Sequence, residues 1–168
     1  MTKGIFNVPQ IQNEPVKNYI PGSCERIELH KAILKARSEI VDIPQYIGSE
    51  KIFSGKKIKI TPPHDHQHLL GYLHEGESAD VEKAIQCASE AKKRWANLNW
   101  EQRAAIFLRA ADLIAGPYRA VINAATMLGQ SKNAYQAEID SACELIDFLR
   151  LNVQFMSEIY RQQPVSSE

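Results

Sequence analysis

The sequence predicts a mainly α chain that carries a small antiparallel β element. Apolar residues recur with the 3.6-residue period of amphipathic helices from Ser78 onward. Between residues 43 and 75 the pattern shortens into β-rich runs separated by Gly48-Ser49, Ser54-Gly55 and Thr61-Pro62-Pro63. A third observation concerns completeness: the last helix is apolar on two sides, and such a helix normally sits between two layers. One layer can be built from the helices present, so the fold is expected to continue beyond residue 168.

Three regions follow. Residues 1–24 form an extended arm, with three prolines and two glycines in residues 1–23 and no sustained periodicity. Residues 25–77 hold a helix over 25–40, with Leu29, Ala32, Ile33 and Ala36 at i, i+3, i+4, i+7, and then the short strands. Those strands fall in 43–52, 56–60 and 68–75; the Lys-Ile alternation of 56–60 suits an edge with one wet face.

Residues 78–168 read as an amphipathic helical bundle, incomplete without downstream sequence. Ser78 is a candidate cap, with Asp80 and Glu82 in the first turn and a stripe of Val81, Ala84, Ile85, Ala88 and Trp95. Asn99 and Gln102 frame a capping box that opens a second helix, with Ala104, Phe107, Ala110, Ala111 and Ile114 inward and Gly116-Pro117 as its stop. A third helix runs from about Tyr118 to Leu128 and stops at Gly129. A long fourth begins near Ser131 or Asn133 and continues to about Tyr160, followed by a polar tail, QQPVSSE.

On that fourth helix, an arc centred on Ala142 collects Tyr135, Ile139, Leu145, Ile146, Leu149, Val153 and Met156. Asp140, Glu144, Asp147 and Gln154 fall opposite, and Phe148 and Phe155 lie on a second apolar side. Glu138 projects between Leu145 and Leu149, where an unpaired ionised carboxylate would be costly. It is either satisfied by a backbone amide or an Arg, or it is a site residue.

The bulk properties exclude several classes. Twenty basic and twenty acidic residues leave no net charge, which gives no reason to expect a nucleic-acid partner. No apolar run reaches membrane-spanning length, and the N-terminus has neither a secretory core nor transit-peptide character, so a cytoplasmic location is expected. Cys24, Cys87 and Cys143 follow no metal-ligand spacing and read as free thiols. His64, His66 and His68 alternate, with His74 further on. A metal site there would need a Cys or carboxylate at standard spacing, and none completes it, so the segment reads as a solvated loop. Glycines form no phosphate-cradling pattern, GxSxG is absent, and Lys92-Lys93-Arg94 is a wet charge run. No complete active site is legible.

Four stretches, 13–33, 43–63, 95–119 and 127–152, resemble the N-terminal part of the aldehyde dehydrogenase superfamily. The first and last are most similar to its Δ1-pyrroline-5-carboxylate dehydrogenase branch. The resemblance implies the helical N-terminal part of an aldehyde dehydrogenase-like α/β fold, truncated before the Rossmann-like core is complete. It implies an intact enzyme that uses NAD to oxidise L-glutamate γ-semialdehyde to L-glutamate in proline catabolism, through a cysteine thiolate downstream of this chain. None of the three cysteines here inherits that role, and no catalytic, cofactor-binding or metal residue carries over. Four positions do, as substrate-pocket residues: Glu138 in QAEID, and Phe148, Arg150 and Asn152 in DFLRLN.

Two expectations remain open. In one, the chain is the N-terminal segment of such a dehydrogenase, inactive and without NAD binding when alone. In the other, it is a self-sufficient helical interaction or oligomerisation module derived from that enzyme. Exposed apolar helix faces make a homo-oligomer expected under either.

Overall fold

The computed structural model describes residues 10–162; the extreme N-terminus and all but the first residue of the polar tail lie outside the described residues. The elements follow the order α1 (Cys24–Ser38), β1 (Val41–Ile43), β2 (Gln45–Ile47), β3 (Glu50–Ile52), β4 (Lys57–Ile60), β5 (Gly71–His74), α2 (Ser78–Asn97), α3 (Trp100–Ala115), α4 (Arg119–Gln130), α5 (Ala134–Ala137), a π-helical segment (Glu138–Cys143) and α6 (Glu144–Arg161). The expected mainly α architecture is present.

Local chemistry accounts for the boundaries. Ser23 caps α1 by accepting from the Arg26 amide. Asn99 with Gln102 and Asn133 with Gln136 form capping boxes at α3 and α5. At α2 the cap is Glu77, whose amide donates to Asp80 at 2.9 Å, rather than Ser78; a carboxylate one residue earlier serves the same exposed amides. Helix α4 passes through Gly129 and stops two residues later than expected, at Ser131 in the left-handed conformation, φ 57°.

The strands make two small sheets. β2 and β3 form an antiparallel hairpin, and β4 pairs antiparallel with β5. β4 is the edge that its Lys-Ile alternation suggests. The remaining pairing differs from the antiparallel expectation: β1 joins β5 in parallel, Val41 opposite Gly71, giving a mixed sheet of order β1-β5-β4. Two glycines matter here. Gly71 lets the β1 backbone approach, since a Cβ would collide with the Val41 carbonyl. Gly48 turns the hairpin at φ 60°, and a Cβ on it would stand 2.7 Å from Cys87 Sγ on α2.

Packing gathers in two apolar clusters. Tyr19, Leu29 and Ala124 join the arm, α1 and α4. Ala111, Ala142 and Ile146 join α3, the π-helical segment and α6. Small side chains at Ala111, Ala137 and Ala142, all fully buried, let the helices approach closely. The expected stripe on α2 is not buried: Val81 and Ile85 are 56% and 62% exposed, and no α2 residue is fully covered. Phe148 and Phe155 are uncovered as well. These faces have apolar periodicity with no described element against them.

Candidate functional site

Glu138 is fully enclosed. It opens the π-helical segment, where the ladder of an otherwise continuous helix widens by one residue. That extra residue advances the phase, so the side chain turns toward α4 rather than lying in the Leu145–Leu149 groove. Arg119 and Asn123 wait there at i and i+4, on one side of α4.

Every donor around the carboxylate points at it. Arg119 Nε lies 3.2 and 3.3 Å from its two oxygens, and Arg119 Nη2 binds Oε1. Asn123 Nδ2 donates at 2.8 Å, the Tyr19 hydroxyl at 2.6 Å and the Lys17 amide at 2.8 Å. Arg119 also binds Glu14 and donates to the Pro15 carbonyl at 2.8 Å. Glu14 in turn binds Arg150, whose guanidinium reaches Asp112 at the rim. Two arginines and two glutamates therefore balance inside one cluster, as buried charge requires.

The arm is laid along the long helix by this chemistry. The Ile11 amide donates to Gln154, the Glu14 amide to Asp147 and the Lys17 amide to Glu138. Three arm residues in an extended conformation advance about 9 Å, close to the roughly 10 Å of seven helical residues between Asp147 and Gln154. Between Ile11 and Lys17 these arm amides thus find their acceptors on helix side chains.

Burial pushes the Glu138 carboxyl up, but the bonds from Arg119, Tyr19, the Lys17 amide and Asn123 outweigh it and hold the group at about 2. The Tyr19 hydroxyl is pushed above its ordinary range by burial and by the adjacent carboxylate. Cys143 lies 3.4 Å from Arg119 Nη2 and 3.8 Å from Glu138 Oε1, and burial first, then the Glu138 charge, raises its thiol to about 11. It is therefore protonated at neutral pH.

The four residues expected at a pocket do not share one surface. Glu138 is enclosed and Arg150 half-buried; Phe148 and Asn152 face outward, with Asn152 Nδ2 donating to the Phe148 carbonyl at 2.8 Å. Arg150 connects to Glu138 through Glu14 and Arg119. Sequence reasoning named neither Arg119 nor Asn123 nor Tyr19. The first two had a readable signal, being polar residues one turn apart on a short, largely apolar helix. Tyr19 and Glu14 gave none, because an aperiodic arm does not disclose its partner. The histidines disperse: His64 Nδ1 meets Ser131 Oγ at 2.7 Å, His66 is exposed and His74 is buried near Asp42. Among the described residues no helix is long and apolar enough to cross a membrane.

An apolar cleft of about 370 Å³ lies between α1, the mixed sheet and α4, with Ala32, Val41, Ile43, Leu70 and Leu128 in its walls. In the buried cluster the Cys143 thiol lies against the Glu138 carboxylate and is held protonated by burial and by that charge. The cluster fixes structure by balancing its charges internally.

A sequence profile of the aldehyde dehydrogenase family matches residues 52–168. The Δ1-pyrroline-5-carboxylate dehydrogenase of Agaricus bisporus is 46% identical over 160 residues, covering 95% of this chain and 29% of the relative. The mitochondrial enzyme of that name from Homo sapiens is 40% identical over 157 residues, covering 94% and 28%. The crystal structure of the Mycobacterium tuberculosis enzyme bound with NAD superimposes with a TM-score of 0.94 at 47% identity, covering 99% of this chain and 31% of that one. The chain thus spans about three tenths of the length of the curated relatives it matches.

Proposed function

The chain belongs to the aldehyde dehydrogenase family, and from that premise we propose that it supplies the N-terminal part of a Δ1-pyrroline-5-carboxylate dehydrogenase. The intact enzyme would oxidise L-glutamate γ-semialdehyde to L-glutamate with NAD. The supporting observation is the matching pattern: relatives of that name align with nearly the whole chain at 38–46% identity, yet with under a third of themselves. In this reading the 168 residues do not carry out the redox step and bind no NAD alone. They contribute a helical scaffold, and the uncovered faces of α2 and α6 are where the rest of the enzyme packs.

Phe148, Arg150 and Asn152 are the positions that would border the substrate channel. Glu138 stands behind them as a positioning residue that fixes Arg150 through Arg119 and Glu14. A cytoplasmic location goes with this reading and is checked by fractionation.

A chimera tests the activity. Residues 1–168 replace the matching segment of the Mycobacterium tuberculosis enzyme, and NADH formation from pyrroline-5-carboxylate is followed by absorbance. The chimera is expected to turn over and the 168-residue chain alone to give no NADH. An inactive but folded chimera overturns the assignment; steady NADH from the short chain overturns the division of labour.

The second reading, an interaction module, draws on the same exposed faces. Val81, Ile85, Phe148 and Ile159 are each more than half exposed, and a second copy could cover them. Sedimentation of the 168-residue chain separates the readings of its surface: a discrete dimer favours the module, and a concentration-dependent smear favours faces made for absent covalent neighbours.

A further inference from the structure

His74 ends β5 with its ring buried, and its two nitrogens face two acceptors. Nδ1 lies 2.7 Å from the Ser54 carbonyl oxygen and Nε2 lies 2.7 Å from Asp42 Oδ1. A carbonyl oxygen only accepts, and so does an ionised carboxylate. Asp42 is ionised: hydrogen bonds from Lys57 first, and then from His74, hold its carboxyl below the usual carboxylate range. With a single ring proton, one of these two contacts would set lone pair against lone pair in a position 3% exposed. Both contacts are made only when both nitrogens carry protons.

We propose that His74 is a buried imidazolium acting as a proton-dependent clasp that fastens residues 53–56, between β3 and β4, to β1 and β5. The charged groups around it fit. Asp42 comes from β1. Lys57, opposite His74 in the β4–β5 register, turns its Nζ to the other Asp42 oxygen at 3.0 Å, so the carboxylate lies between two cations. On β5's own continuation Glu75 is turned to Lys56 at 2.8 Å. The Phe53 ring meets the imidazole edge-on, with centroids 5.2 Å apart.

The clasp reaches beyond the sheet. Ser54 also donates its hydroxyl to the Glu75 carbonyl and accepts from Gln45 of β2 at 3.2 Å. The β2–β3 hairpin is in turn what α2 rests on, through Gly48 against Cys87 and the Glu50–Lys83 pair. Loss of one proton at His74 would release the Ser54 carbonyl or set Nε2 against Asp42, and the hairpin with α2 would loosen from the sheet.

The experiment is long-range ¹H–¹⁵N correlation of the histidine rings in the ¹⁵N-labelled 168-residue chain, recorded from pH 6 to 9 alongside amide exchange. At pH 7.5 both His74 nitrogens are expected in the protonated range, read against the exposed His30 and His66 rings in the same spectrum. When His74 loses its proton, the protection factor of the Glu75 amide, which donates to the Lys56 carbonyl at 2.9 Å, should fall about tenfold. One unprotonated His74 nitrogen at pH 7.5, or unchanged Glu75 protection across the transition, overturns the proposal. Asp42→Asn, at a partly exposed position, keeps a hydrogen-bonding partner and removes the charge. It should leave His74 singly protonated at pH 7.5 in a folded chain; a doubly protonated His74 there also overturns it.

Discussion

Replacing Glu138 by Gln is the perturbation that most directly examines the buried cluster. A glutamine keeps the volume but brings one acceptor and an NH₂ group to a place where Arg119, Tyr19, Asn123 and the Lys17 amide all donate. Breaking a buried ion pair from one side typically costs about 3–5 kcal/mol, and here Glu14 still partners Arg119, which favours the lower end. An independent route uses acid. The carboxyl sits at about 2 in the folded chain against 4.5 as its ordinary value. A difference of roughly 2.5 pH units corresponds to about 3 kcal/mol. Because the folded value is depressed, that stability is fully present above pH 4.5 and lost as pH falls toward 2. The two routes agree near 3 kcal/mol. Urea unfolding followed by far-ultraviolet circular dichroism at pH 7 should show that loss, and the variant's stability should be flatter between pH 4.5 and 2.5. A loss below about 1 kcal/mol, with the acid dependence unchanged, would refute the closed ion cluster.

Tyr19→Phe removes the hydroxyl shared by Glu138 and Asn123 and should cost about 1–2 kcal/mol in the same urea assay. Gly48→Ala must hold a left-handed φ and displace Cys87 Sγ; a loss of about 1–2 kcal/mol, with faster Cys87 modification by a thiol reagent, is expected. In the unmodified chain at pH 8, exposed Cys24 should react first and Cys143, buried and with its thiol near 11, only on unfolding; rapid labelling of Cys143 by mass spectrometry would contradict its enclosure.

Much of this fold was legible because its signals are local. The Asn99 box, the helix start near Asn133, the Gly48 turn and the edge character of β4 depend on neighbours a few residues away. Two kinds of feature were not. The π-helical segment has no composition that distinguishes it from α-helix, yet its extra residue decides that Glu138 meets Arg119 rather than the Leu145–Leu149 groove. The α2 stripe was read correctly as a pattern, but a periodicity reports a face that is to be covered and not whether its cover lies within the same 168 residues. For Glu138 the wheel identified the strain of a carboxylate on an apolar side. It could not supply the donors, because Tyr19 and Lys17 come from an arm with no periodicity to read.

The arm's ladder has a consequence for the order in which the molecule can be made. Its bonds join residues 119 to 143 positions apart: Tyr19 with Glu138, Lys17 with Glu138, Glu14 with Asp147 and Ile11 with Gln154. During synthesis at roughly 5–20 residues per second, the arm waits about 7 to 30 s before its last acceptor exists. Arg119 emerges in the interval with Glu14 already present and Glu138 absent. The arm is therefore among the last of these elements to find its place, and it stays unfastened while the residues between it and its acceptors are made.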